Sequence, residues 1–174
     1  MGTISNKSKA IFEAKFPQLL IEAQKGVAVI RREFNARGLL TSSMTVRAIY
    51  DCIENHVKIC STECLSSVKL SIESSAISIN KNSLPEMLEA FNEIFANSAL
   101  RLKAIGEEFA NPICAQLGNK SFLEWGDFDL LIRSEQLLKT EELRKLYIDS
   151  MNKRKRWYEY IPIVANVIRI FKLL

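Results

Sequence analysis

The side chains with most chemistry to offer sit on one prospective helix, where Cys52, His56, Cys60 and Cys64 recur at i, i+4, i+8 and i+12. Thiolate and imidazole are ligands that suit zinc, and an i, i+4 pair on a helix can chelate a metal. Each step of four turns the helix by about 40°, so the outer members diverge by about 120° and one helix cannot close a tetrahedron with all four. Cys60 and Cys64 also fall in the middle of an apolar stripe, where a free thiol behaves as a small hydrophobe. The ladder therefore reads as core, with Cys114 as the further sulfur elsewhere in the chain. The sequence calls for no metal and no cofactor.

Catalytic patterns fare no better. His56 is the single histidine, and no Gly-x-Ser-x-Gly elbow offers it a serine nucleophile. A ferritin-like dimetal site needs Glu three residues before His, and residue 53 is Ile. Gly118-Asn-Lys-Ser121 resembles only the tail of a phosphate loop, and Cys114 stands where the first Gly of that motif would fall. Glu107 and Glu108 are adjacent and diverge on a helix. An enzyme whose site is assembled from dispersed residues stays open as a further alternative, since spacing along a chain does not reveal such assembly.

The second chemical stretch is Lys153, Arg154, Lys155 and Arg156, followed by Trp157, Tyr158 and Tyr160 and then the apolar run IPIVANVIRIFKLL. In that run only Asn166, Arg169 and Lys172 are polar, so roughly 240° of a helix there is apolar. Fourteen residues reach about 21 Å, short of the ~30 Å hydrocarbon core, so a bilayer-spanning reading fails. Basic cluster, aromatic belt and apolar helix in that order suit an anionic lipid surface. The same face also suits a protein partner, self-association, or a groove of its own chain. The expected contact residues are Lys153, Arg154, Lys155, Arg156, Trp157, Tyr158, Tyr160, Ile163, Val167, Ile170, Phe171 and Leu174. A nucleic-acid grip by Lys153 to Trp157 is the alternative, although it leaves the hydrophobic tail unexplained.

Bulk charge agrees with this division. Residues 139–174 hold nine Lys/Arg against four Asp/Glu, while the first 138 hold fifteen against sixteen. The basic excess thus belongs to the last fifth of the chain, and it speaks about partners rather than fold. At 174 residues with 48% hydrophobic and 25% charged side chains, the sequence reads as one helical domain over 1–174, with 139–174 as its basic, apolar region. The N-terminus lacks the apolar run of a signal peptide, and Asn6 stands where a myristoylation signal wants Ser or Thr. The expected setting is cytoplasmic, either free or peripheral to a membrane, with free thiols.

The elements that position these residues are helices. Leu84, Leu88, Phe91, Phe95, Ser98, Leu102, Ile105 and Phe109 keep steps of four and three over 83–110, with Ser83 and Glu86 in capping-box spacing. Phe12, Phe16, Leu19, Ala23, Val27, Ile30 and Phe34 mark a first helix over 8–37, kinked or started by Pro17 and stopped by Gly38. Val46, Ile49, Ile53, Val57, Cys60, Cys64 and Val68 mark a second over 43–74, with a weak serine-rich end. Asn111-Pro112 should end or bend the third helix, leaving one turn closed by Gly118. Further helices are expected over 122–138, from Thr140 onward, and after Pro162. The sum is an all-α antiparallel bundle of about five or six helices, the first three long and up-down-up. A helix-turn-helix around Gly38 and Thr45 fails because the connection and both helices are too long.

Overall fold

The computed structural model describes residues 3–74, 82–118 and 126–171, with side chains in the last stretch described over 128–153. It is helical, with no strand among the described residues. Four helices follow one another: α1 (Thr3–Ala36), α2 (Ser43–Glu73), α3 (Ser83–Gln116) and α4 (Gly126–Phe171).

Helix ends follow local chemistry. Ser42 opens α2, its side chain accepting the Thr45 N–H at 3.2 Å. Gly38 closes α1 at φ +68°, with the Gly38 N–H on the Asn35 carbonyl and the Leu39 N–H on the Phe34 carbonyl. That bond pair is a Schellman motif, and it requires the left-handed conformation glycine tolerates. Gly118 follows α3 at φ +66°, its N–H on the Ala115 carbonyl. Neither proline marks a helix boundary. Pro17 lies inside an α1 that begins at Thr3, and Pro112 lies inside an α3 that continues to Gln116. Each proline removes one N–H from a helix that packing on both sides of the gap holds together. The capping box is also revised. Asn82 precedes the first turn of α3, and Glu86 Oε1 accepts the Ile4 N–H of α1 at 2.7 Å. Glu86 thus satisfies an orphan donor at the start of a different helix.

Contacts give the directions. Ser8 Oγ lies 2.8 Å from Ser71 Oγ, and Lys15 pairs with Glu63, so α1 and α2 run antiparallel. Ile4 meets Glu86, Lys9 meets Glu93, and Arg101 stacks over Phe16, so α1 and α3 run parallel. The Tyr50 ring meets Phe128 edge-on, and Ser61 Oγ donates to Glu135 Oε2 at 2.6 Å. Hence α4 runs parallel to α2, and the order is up-down-up-down. α1 and α4 pack on different sides of the α2–α3 pair and do not touch among the described residues.

The predicted stripe of α2 is buried along its whole length, Val46 to Val68. In α1, Phe12 through Val27 are buried, while Ile30 and Phe34 are half-buried. The α3 stripe is wider than its periodicity implied. Phe91, Phe95, Ser98, Leu102 and Ile105 are buried as expected, but Leu84, Leu88 and Phe109 are half-buried while Met87, Ala90, Ile94, Gly106 and Ala110 are buried. α3 touches three other helices and so buries roughly 200° of its circumference, not 100°. The serine-rich end of α2 is likewise packed, with Ser67 and Ser71 fully buried.

The expectation of five or six helices is corrected here. Two or three predicted segments are one helix, α4, of 46 residues. Thr140 caps nothing and sits inside α4, between the Lys139–Glu142 ion pair and the buried Leu143. A capping preference is about 1 kcal/mol, which the burial of Leu143 outweighs. Pro162 also falls within the bounds of α4. The stretch 119–125, where the predicted fourth helix was to start, lies outside the described residues.

Candidate functional site

Cys52 and His56 come together at the α1–α2 interface. Cys52 Sγ is 3.8 Å from His56 Nδ1, and the same nitrogen is 2.8 Å from the Cys52 carbonyl oxygen. A ring nitrogen that donates to a carbonyl is not free to take a thiol proton. Burial also pushes the Cys52 thiol up from its ordinary range, away from the thiolate a nucleophile needs. Opposite them stands Gly26, where a Cβ would lie 2.8 Å from Cys52 Sγ and 3.7 Å from His56 Cε1. Gly26, unmarked by any sequence motif, lets α1 approach this pair.

Cys60 and Cys64 are fully buried on the core stripe, and all four cysteines are free. Burial, with Cys60 alongside, drives the Cys64 thiol strongly upward, and burial raises Cys114 as well. Among the described residues no three His, Cys, Asp or Glu side chains converge where they could hold a metal ion. Within the ladder, Cys60 and Cys64 are elements of core packing, while Cys52 and His56 are half-buried.

The second stretch begins at a cleft of about 600 Å³ between the last turns of α2 and the middle of α4. Lys69 and Glu73 come from α2; Glu142, Lys145, Asp149 and Lys153 come from α4, with Ile72 and Leu146 between them. Three cations face three carboxylates, so the cleft has no net charge with which to select a phosphate. Lys153 is exposed at its edge. Arg154, Lys155, Arg156, Trp157, Tyr158, Tyr160, Ile163, Val167, Ile170 and Phe171 follow on the backbone of α4, and Leu174 lies outside the described residues. The structure thus puts the predicted contact residues up to Phe171 on one continuous helix rather than on two helices separated by Pro162.

The level of the cleft matters. α2 ends at Glu73 against residues 142–153 of α4. The first turns of α1 and α3 lie at the same end of the bundle, joined by the Ile4–Glu86 bond. From Lys153 to Phe171, α4 advances 18 residues more, about 27 Å of helix. Among the described residues no helix is long and apolar enough to cross a membrane. Comparison with known proteins brings no match: no family model fits the chain, and neither a curated protein nor a solved structure matches it.

Proposed function

We propose that this chain is a non-catalytic interaction protein. In this reading the four-helix bundle is a scaffold, and the C-terminal length of α4 is the binding element, facing either a protein partner or an anionic membrane surface. The observation that carries it is the continuation of α4 through Phe171 after α2 has ended at Glu73. A helix with an apolar sector this wide stabilises nothing until that sector leaves water, at about 25 cal/mol per Å² buried. The basic run Lys153–Arg156 sits at its root, where long-range attraction would guide an anionic surface or an acidic partner. The neutral cleft beside it adds no phosphate selectivity, which weighs against the nucleic-acid alternative.

The test compares the full chain with a chain ending at Arg156, by sedimentation and by flotation with vesicles of mixed neutral and anionic lipid. The full chain should associate with itself or float, and the shortened one should do neither. A shortened chain that behaves like the full one would refute the assignment of binding to 157–171.

A further inference from the structure

A cavity of about 210 Å³ opens between α1 and α3, lined by no residue of α4. Its floor follows from the side-by-side run of the two helices. Phe12 and Phe16 come up one turn apart on α1, their rings stacked at 5.1 Å, and Ile94 meets them from α3. All three are buried, so the floor is apolar. The rim is polar. Glu13 stands on the α1 side with Lys9, while Glu93, Asn97 and Arg101 follow one another on α3 in steps of four, along one line of that helix.

Not all of this polarity is used within the chain. Lys9 Nζ lies 3.8 Å from Glu93 Oε1, so those two charges balance each other. The Arg101 guanidinium carbon sits 4.9 Å from the centre of the Phe16 ring. Among the described residues neither Arg101 nor Glu13 has an ion-pair partner, and the two do not reach one another. The Asn97 amide makes no hydrogen bond among them. Stacking on Phe16 occupies a face of the guanidinium and leaves its in-plane N–H donors available. A planar fork of that kind takes a carboxylate with two parallel bonds. Glu13 lies three residues before Phe16, so along the groove the unpaired carboxylate is offset from the unpaired guanidinium by about 4.5 Å.

Volume and charge together select a ligand. The cavity is smaller than the roughly 300–1,000 Å³ that drug-sized molecules occupy, so a nucleotide is too large for it. A simple anion would satisfy Arg101 and be repelled by Glu13, and a simple amine would do the reverse. A zwitterion answers both. We propose that this cavity binds a single apolar α-amino acid. Its carboxylate accepts from Arg101 and Asn97, its ammonium donates to Glu13, and its side chain lies over Phe12, Phe16 and Ile94. The site goes beyond the binding role of α4 and does not depend on it.

The experiment adds L-phenylalanine or L-leucine to the isotope-labelled full chain and follows backbone amide resonances. Saturable shifts confined to residues 9–16 and 93–101 are expected, with a rise in Tm. Phenylpropanoate lacks the ammonium and phenethylamine lacks the carboxylate. Each should bind at least about tenfold more weakly than phenylalanine, the worth of one charge-assisted hydrogen bond. Arg101→Gln should weaken phenylalanine and phenylpropanoate and spare phenethylamine, and Glu13→Gln should weaken phenylalanine and phenethylamine and spare phenylpropanoate. Both positions are exposed, so the circular-dichroism spectrum should not move. A chain whose resonances ignore both amino acids at millimolar concentration overturns the proposal. Phenylpropanoate binding as tightly as phenylalanine makes the cavity an anion site and overturns it as well. Shifts that survive in both variants place the amino acid elsewhere and do the same. Each of these failures leaves the reading of 157–171 standing.

Discussion

Replacing Gly26 by alanine should destabilise the protein, although alanine is the better helix former. In mid-helix the exchange gains up to about 1 kcal/mol from propensity. Against this, the new Cβ would stand 2.8 Å from Cys52 Sγ. Ordinary contact lies near 3.5–4.0 Å, so about 0.7 Å has to be found. The thiol has little room to retreat, because His56 Nδ1 sits 3.8 Å away and is fastened to the Cys52 carbonyl. Overpacking of this kind costs about 1–3 kcal/mol, which leaves Gly26→Ala about 1 kcal/mol less stable. Cys52→Ala removes the obstructing sulfur. In that background Gly26→Ala should therefore reverse sign and stabilise by up to about 1 kcal/mol, a coupling near 2 kcal/mol between the two sites. Urea denaturation of the four chains gives the cycle directly. Equal destabilisation in both backgrounds would refute the idea that the sulfur is what excludes a side chain from position 26.

Phe95→Ala should cost about 3–5 kcal/mol, since its ring is fully buried and stacked on Phe91 at 5.6 Å, whereas Leu100→Ala, at a side chain 57% exposed, should cost well under 1 kcal/mol; equal losses in thermal melts would refute the buried face assigned to α3. Stability should fall as pH rises above about 8.5, where unfolded thiols ionise while Cys64 is held protonated by burial and by Cys60. Its folded-state pKa is raised, so its contribution is complete at lower pH and is lost upward through the alkaline range, at up to about 1.4 kcal/mol per pH unit per thiol. Cys64→Ala should flatten that slope, and a wild-type stability unchanged between pH 8 and 10 would contradict the burial argument.

Much of the bundle is legible in the sequence because α1 to α3 each carry one apolar line at helical period, and Val46 to Val68 reads off without error. Gly38 and Ser42 are legible because a left-handed stop and an N-terminal cap each demand a particular residue type. What escaped depends on neighbours the chain does not announce. Met87, Ala90 and Gly106 are buried because α3 has three helices around it, and one-dimensional periodicity reports a single face. Ser8 and Ser71 look like weak helix formers, yet their small side chains meet across the α1–α2 interface. Thr140 and Pro162 read as boundaries because local rules favour ends there, and propagation of α4 against α2 and α3 outweighs a cap at Thr140. Of the candidate site, the residue types were legible and their arrangement was not. The continuity of α4 from the cleft at Lys153 to Phe171, which sets the register of the extension, has no local signal.

The central claim is that residues beyond Arg156 extend the bundle without belonging to its core. Thermal unfolding of a chain ending at Arg156 tests it most directly. The account predicts a single cooperative transition from a folded, helical monomer, because Phe128, Leu143 and the core contributed by α1 to α3 are all retained. A shortened chain that aggregates or melts without cooperativity would place 157–171 in the core and contradict the account.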